Sequence, residues 1–257
     1  MTAPAWIEAG RGDSALVCLH GVSSSAGIWQ PLLPMLAAQG HRVLAWDMPG
    51  YGASAMPIRY DFAALADALA ALLDEAGLAR ATIVGHSLGG MVAMEFASRY
   101  PQRVAALVLA CTTASSGVHQ GAAREAFLAR RLGRLAQGGT MAELADAILP
   151  AMLGPRPPTG LLAELRRLMA AIAPPAYRAA INALVDFDRR AALAGFDFRV
   201  LCIAGDSDRI ATVPTMRHMA TRIRGASLAV MREAGHLAPF EDAQAFVALL
   251  AAFLDRR

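Results

Sequence analysis

The chain has 257 residues, enough for one large α/β domain with its own core, and 56% of them are apolar. Its formal net charge is +3, and all of its basic residues are arginine because the sequence holds no lysine. A Schiff-base lysine is therefore excluded, and the scattered placement of the arginines argues against a nucleic-acid groove. Acidic residues interrupt the longest apolar stretches, and no basic patch followed by an apolar run opens the chain. We therefore expect neither a membrane span nor a signal peptide.

Short apolar runs alternate with amphipathic helices along most of the chain. The predicted strands cover residues 6–9, 15–19, 42–46, 81–84, 104–110, 200–204 and 227–231. Between the third and fourth of these, the stretch 61–76 predicts a helix, with Asp61 as its N-cap, one apolar stripe at helical spacing, and Gly77 as its stop signal. This alternation is typical of a mostly parallel sheet with helices on both faces, so we expect an α/β fold.

Three cysteines, Cys18, Cys111 and Cys202, fall inside or at the end of predicted core strands. Their number is odd and their spacing matches no disulfide framework, so we expect free, buried thiols and a cytoplasmic protein. The six histidines show no metal-ligand spacing such as H-E-x-x-H. No metal and no cofactor are therefore expected.

Two loops follow the second and third predicted strands. The first, His20-Gly21-Val22, places a glycine where the backbone must turn so that amides point into a site. His20 is predicted to brace this loop by hydrogen bonds. The second loop begins at Asp47, and its Gly and Pro pattern predicts a tight turn in which Asp47 hydrogen-bonds nearby backbone.

The pentapeptide Gly85-His86-Ser87-Leu88-Gly89 fits G-x-S-x-G and lies between a predicted strand and a predicted helix. A serine on such a sharp turn is held in a strained backbone conformation, with its hydroxyl standing clear at the end of the sheet. Both glycines are needed because a Cβ at either position would collide with the neighbouring strand or helix. We therefore predict that Ser87 is a catalytic nucleophile.

The alternation of strands and helices stops after Thr113. Residues 115–195 predict several short helices, at about 121–137, 140–153, 159–173 and 175–186, separated by Gly- and Pro-rich breaks. An insertion here, between core strands whose ends face Ser87, would cover the serine as a helical lid. Phe127 and Met152 of this insertion, together with Trp29, are predicted to contact substrate, and packing onto the core is the alternative role for each.

Two loops near the end of the chain supply a base and an acid. His236 follows the last predicted strand, where it can take the proton of Ser87. Asp208 follows the sixth strand and is predicted to orient His236 and to stabilise its protonated form. Asp206, nearer the strand end, is the alternative acid.

The chain resembles the α/β-hydrolase fold superfamily in its compact, lid-bearing form. The matching segments are His20-Gly21, the loop from Asp47 to Ser54, the segment 85–90, Asp208, and Gly235-His236, in the family's order of nucleophile, acid and base. The resemblance covers nearly the whole chain except about residues 115–195, which implies a core of residues 1–114 and 196–257 and a lid of residues 115–195.

Within the superfamily, segments 107–113 and 187–190 most resemble the branch of carboxylesterases and 3-oxoadipate enol-lactonases. Epoxide hydrolases and haloalkane dehalogenases are similar too, but they carry an aspartate at the nucleophile position, and Ser87 argues against both.

The residues and the resemblance together predict a serine hydrolase, independent of any cofactor, that cleaves a small carboxylic ester or lactone. Ser87 would form an acyl-enzyme while the backbone N–H groups of Val22 and Leu88 form the oxyanion hole. One alternative is carbon–carbon bond hydrolysis of a diketone by the same triad, and another is a non-catalytic ligand receptor on the same fold. No nucleic-acid or membrane partner is expected, and the sequence does not decide whether the protein forms a homodimer.

Overall fold

A seven-stranded sheet forms the centre of the protein in a computed structural model that describes residues 3–255. The strands are β1 (Trp6–Ala9), β2 (Ser14–Leu19), β3 (His41–Trp46), β4 (Ala81–His86), β5 (Val104–Ala110), β6 (Val200–Gly205) and β7 (Ser227–Met231). Their order across the sheet is β1-β3-β2-β4-β5-β6-β7, with β1 antiparallel to β3 and every other pair parallel. Each predicted strand is present, and no strand end differs from prediction by more than two residues.

Helices connect the strands and cover the sheet. They are α1 (Leu33–Ala37), α2 (Phe62–Glu75), α3 (Leu88–Arg99), α4 (Gly121–Ala136), α5 (Met141–Ile148), α6 (Leu161–Ala170), α7 (Pro174–Val185), α8 (Val213–Thr221), α9 (Ala238–Glu241) and α10 (Ala243–Leu254). Helix α2 begins where predicted, because the Asp61 side chain accepts the N–H of Ala64, and it stops before Gly77, which has a φ of +69°.

Both faces of the sheet are covered. Every residue of β4 and of β6 is buried. Because successive side chains of a strand point to opposite faces, burial at every position requires packing on both sides. This double burial accounts for the high apolar content of the sequence.

The order of the strands places the carboxyl ends of β2 and β4 side by side. Strand β2 lies between β3 and β4 in the sheet. The chain goes from β2 to β3 on one side of β2 and then crosses to β4 on the other side, where Leu19 of β2 pairs with Gly85 of β4. Ligands of open α/β sheets bind at the carboxyl ends of the strands, where the strand order reverses in this way. The loop after β2 and the turn after β4 are therefore neighbours at the expected position of a site.

The segment between β5 and β6 contains four α-helices, α4 to α7. Helix α5 begins with a capping box, in which the Thr140 hydroxyl accepts the N–H of Glu143 and the Glu143 carboxylate accepts the N–H of Thr140. It ends at Ile148, earlier than predicted, because Pro150 lacks the N–H that would continue an α-helix; a 3₁₀ turn, Pro150–Met152, follows.

This insertion leaves the core and returns to it through a narrow neck. Ser115 forms a β-bridge with Asp188, and the Arg189 N–H donates to the Ala114 carbonyl at 2.8 Å. The Arg189 guanidinium also pairs with Glu95, which lies fully buried in α3. The two ends of the insertion are therefore tied to each other and to the helix that follows β4.

Within residues 3–255, no single helix has the length and apolar character to cross a membrane. Helices α6 and α7, which meet at a bend, reach that length and composition only when they are taken together.

Candidate active site

Ser87 lies on a sharp turn between β4 and α3, with a φ of +53° and a ψ of −119°. Such a conformation costs on the order of 1–3 kcal/mol for a residue with a side chain, so the surroundings must hold it. The Ser87 N–H donates to the Ala110 carbonyl at 3.0 Å, and the Ser87 carbonyl accepts the Thr112 hydroxyl at 2.7 Å. The end of β5 and the residues that follow it thereby hold the turn.

Two glycines allow the turn to pack. A Cβ on Gly85 would lie 2.5 Å from the carbonyl oxygen of Gly89, and a Cβ on Gly89 would lie 2.3 Å from the carbonyl oxygen of Leu19. Real Cβ atoms do not approach other atoms this closely. The predicted need for glycine at both positions is confirmed, and its cause is contact with the backbone of α3 and β2.

Three side chains that are distant in the sequence form one hydrogen-bonded chain. His236 Nε2 lies 2.9 Å from Ser87 Oγ, and His236 Nδ1 lies 2.9 Å from Asp208 Oδ2. An ionised carboxylate only accepts, so Nδ1–H donates to Asp208 and Nε2 is left to accept the Ser87 hydroxyl proton. Asp206 is exposed and accepts the Ser207 hydroxyl, so the structure brings Asp208 and not the alternative acid to His236.

Asp208 remains a carboxylate although it is buried. Burial alone would raise its pKa, but the hydrogen bond from His236 and those from the backbone N–H groups of Ile210 (2.7 Å) and Ala211 (3.0 Å) outweigh it and lower the pKa. The acid is thus negatively charged when His236 takes up a proton.

Two further histidines near this chain are held neutral. Burial lowers the pKa of His86 to about 3 and that of His20 to about 4. His86 donates from Nε2 to the carbonyl of His236 at 2.7 Å, while His20 accepts the N–H of Met48 at 3.0 Å and donates to the Gly21 carbonyl at 2.8 Å. His20 therefore braces the loop after β2, as predicted.

The predicted oxyanion donors lie on the two neighbouring turns at the ends of β2 and β4. Leu88 is the first residue of α3, so its N–H has no acceptor within the helix. Val22 lines the same small space as Ser87, and its carbonyl accepts the Tyr51 hydroxyl at 3.2 Å. Asp47 accepts the N–H groups of Ala26 (2.9 Å) and Ala53 (2.9 Å), so it shapes the adjoining loop through backbone contacts, as expected.

A small cavity, here called the inner cavity, adjoins Ser87. Its volume is about 20 Å³, close to the space of one water molecule. Its wall combines residues of the loop after β2 with apolar side chains, including Ile28, Leu149, Leu165 and Phe240. Leu149 and Leu165 belong to the insertion, so the insertion supplies part of the wall beside Ser87.

The fold agrees with the comparisons to known proteins. A family model described as alpha/beta hydrolase fold matches residues 14–243. The chain belongs to the α/β-hydrolase fold family.

Relatives of this α/β-hydrolase indicate which branch of the family the chain is similar to. The chain is 31% identical over 243 residues to a pimeloyl-(acyl-carrier protein) methyl ester esterase of Neisseria meningitidis, covering 92% of this chain and 91% of that protein. An enol-lactonase from Burkholderia xenovorans has a similar structure, with 27% identity and a TM-score of 0.86 over 97% of this chain and 95% of that one. A thermophilic esterase from Thermogutta terrifontis gives 26% identity and a TM-score of 0.88 over 97% and 92%. The expected esterase- and lactonase-like branch is confirmed.

The three residues predicted to contact substrate do not line one common pocket in this α/β-hydrolase. Met152 lines the inner cavity. Phe127 lines a second and larger space of about 780 Å³, here called the outer cleft, which lies between the insertion and the loop after β6 and which Met152 also lines. Trp29 is a correction: it is fully buried and lines neither space, since its ring packs edge-on against Phe240 at 4.8 Å. It supports the cavity wall from behind.

Glu241 is a site residue that the sequence did not reveal. Its buried carboxylate accepts the N–H groups of Gly235 (2.9 Å) and Leu237 (3.2 Å), on either side of His236, and the N–H of Gly154 in the insertion (2.7 Å). Burial raises its pKa, against the effect of these three hydrogen bonds. In the sequence Glu241 looks like an ordinary acidic residue near a helix start, and no pattern marks it.

Across residues 3–255, no group of three or more His, Cys, Asp or Glu side chains is placed to hold a metal ion. The three cysteines are free and buried.

Proposed function

We propose that this α/β-hydrolase is a serine hydrolase that cleaves a small carboxylic ester or lactone through an acyl-enzyme on Ser87. The observation that carries the proposal is the continuous hydrogen-bonded chain from Asp208 through His236 to Ser87, with both links at 2.9 Å. A nucleophile in contact with a base, and a base held by a buried carboxylate, is the arrangement that activates a serine hydroxyl.

The first half of the reaction forms the acyl-enzyme. Ser87 Oγ attacks the carbonyl carbon while its proton passes to His236 Nε2, and Asp208 stabilises the imidazolium that results. The carbonyl oxygen becomes an oxyanion, which the N–H groups of Val22 and Leu88 receive. The C–O bond of the ester then breaks, and His236 returns the proton to the leaving alcohol oxygen.

The second half releases the acid. A water molecule takes the place of the alcohol, His236 Nε2 removes one of its protons, and the hydroxide attacks the acyl carbon. The new oxyanion collapses with cleavage of the bond to Ser87 Oγ, which regains its proton from His236. In a lactone the alcohol and the acid remain joined as one product.

The inner cavity supports a small group beside the reacting carbon, because its volume of about 20 Å³ leaves no room for a long chain. We infer that residues 115–195 act as a lid on a core of residues 1–114 and 196–257, since Leu149, Met152 and Leu165 complete the cavity wall. The names of the relatives, two esterases and an enol-lactonase, support an ester or lactone as substrate.

Replacement of the nucleophile tests this function. Ser87→Ala should lower turnover of p-nitrophenyl acetate by on the order of 10³-fold or more, because serine and base act as one unit. Ser98→Ala is the matched control: Ser98 lies on the same helix, and its hydroxyl donates to the Met94 carbonyl at 2.7 Å, away from His236. Full activity in Ser87→Ala would refute the mechanism, and an absence of turnover of every ester by the wild type would favour a ligand receptor.

A further inference from the structure

The outer cleft carries a concentration of positive charge that the steps above do not use. Four arginines line it: Arg130, Arg131 and Arg134 from α4, and Arg209 from the loop after β6. No Asp or Glu of the described chain lines the same cleft. No carboxylate of residues 3–255 lies within ion-pair distance of any of the four, whereas Arg124, earlier on the same helix, is paired with Asp186.

The arginines stand over an apolar wall. The guanidinium groups of Arg130 and Arg131 each lie 5.7 Å from the centre of the Phe127 ring, and Leu144 and Ile148 of α5 line the same cleft. A cleft with apolar walls and unpaired cations at its rim matches a ligand that has an apolar chain and an anionic end.

The outer cleft also adjoins the catalytic residues. Arg209 directly follows Asp208, and the N–H of Ile210, another lining residue, donates to Asp208 Oδ1 at 2.7 Å. Met152 lines both the outer cleft and the inner cavity, and its carbonyl accepts the N–H of His236 at 2.7 Å. A single residue thus forms a shared wall between a large space and the space beside Ser87.

The two volumes divide a substrate into a short and a long side. The inner cavity of about 20 Å³ accepts a group of about the size of a methyl, while the outer cleft of about 780 Å³ has room for a chain with a charged end. An ester has two such sides, its acyl group and its alcohol.

We propose that the outer cleft binds the carboxylate at the far end of the longer side of the substrate, so that the enzyme acts on amphipathic, anionic esters. This proposal rests on the hydrolase function proposed above. Arg130, Arg134 and Arg209 are exposed and bind the carboxylate, and the apolar wall at Phe127 and Ile148 receives the chain.

Two substrate series test the proposal and separate the two sides of the ester. One series holds monomethyl esters of dicarboxylic acids, in which the charged side is the acyl group. The other holds acetate esters of ω-hydroxy acids, in which the charged side is the alcohol. Each compound has a control of equal length in which a primary amide replaces the carboxylate, and kcat/KM is measured in a pH-stat at low and high salt.

The wild-type enzyme should prefer the carboxylate over the amide by about tenfold in at least one series, and salt should reduce this preference because it screens exposed charges. Each of Arg130→Gln, Arg134→Gln and Arg209→Gln should lower kcat/KM for the carboxylate by roughly 1.5- to 5-fold, mainly through KM, and the triple variant should remove the preference. The same substitutions should change kcat/KM for the amide controls less than they change it for the carboxylates. Arg217→Gln, an exposed arginine of α8 outside the cleft, is the matched control.

Equal turnover of carboxylate and amide in both series, or a preference that survives in the triple variant, would overturn the anion site while leaving the hydrolase intact. If no ester is cleaved, the hydrolase function fails, and the cleft is then tested by calorimetric titration with octanoate. Binding that the triple variant loses supports the anion site, and equal heats in both proteins refute it.

Discussion

Glu241 is expected to hold His236 in place, and its removal makes the most informative single change outside the hydrogen-bonded chain. In Glu241→Ala, the N–H groups of Gly235, Leu237 and Gly154 lose their acceptor. A buried donor without a partner costs about 1–3 kcal/mol, so three of them cost roughly 3–9 kcal/mol. Removal of the carboxylate offsets part of this cost, because burial of a carboxylate is itself unfavourable and raises the pKa of Glu241. We expect the free energy of unfolding to fall by about 3 kcal/mol.

The neighbouring residue provides the control. Asp242 caps α10, and its side chain accepts one N–H, that of Ala245, at 2.9 Å. Asp242→Ala should therefore cost about 1 kcal/mol, the usual value for a lost N-cap. A third variant, Glu241→Gln, keeps the shape of the side chain but turns an NH₂ group towards a backbone donor. Urea unfolding gives the free energy of unfolding of all three variants for comparison.

Activity separates a positioning role from a merely structural one. Two of the lost hydrogen bonds flank His236, so Glu241→Ala should lower kcat for p-nitrophenyl acetate by about tenfold with little change in KM, and Glu241→Gln should lie between it and the wild type. Asp242→Ala should keep its kcat. If Glu241→Ala is no less stable than Asp242→Ala and retains full kcat, the positioning role is wrong.

Two further predictions follow from the charges near Ser87. Asp208→Asn should lower kcat by several orders of magnitude, because it disturbs the tautomer of the histidine it holds, whereas Asp206→Asn should be close to wild type in the same ester assay; the reverse result would move the acid to Asp206. Stability should also fall in mild acid. The pKa values of His86 and His20 are lowered to about 3 and about 4, so below about pH 6.5 the unfolded chain binds protons at these histidines and the folded protein does not. The free energy of unfolding therefore falls by about 1.4 kcal/mol per pH unit for each histidine. Urea unfolding should give constant stability above about pH 7.5 and a clear loss by about pH 5.5, and a flat profile over this range would contradict the neutral, buried state of both rings.

Much of this architecture is readable from local patterns. The strands are short apolar runs with clear ends, and the turn at Ser87 requires glycine at Gly85 and Gly89, which the sequence displays directly. Asp208 and His236 follow predicted strands, and parallel strands bring their carboxyl ends to one edge of a sheet. Secondary structure and strand direction are thus enough to anticipate which loops meet, even though the contacts join residues far apart in the chain.

The remaining features depend on packing that no local pattern encodes. Trp29 follows the loop after β2, a short distance beyond Val22 in the sequence, yet its ring packs in the core against Phe240. Glu241 acts through backbone N–H groups, which every residue but proline carries, so its partners leave no mark on the sequence. The arginines of the outer cleft come from α4 and from the loop after β6, and only the folded insertion brings them to one cleft.

Direct detection of the acyl-enzyme tests the central claim most closely. The protein is quenched in acid during turnover of p-nitrophenyl acetate, and its intact mass and peptide masses are compared with those of untreated protein. We predict a mass increase of one acetyl group on the peptide that contains Ser87, slower accumulation of this adduct in Asp208→Asn, and no adduct in Ser87→Ala. An acetyl group on another residue that tracks turnover, or undiminished turnover by Ser87→Ala, would contradict the assignment of Ser87, His236 and Asp208 as the catalytic residues.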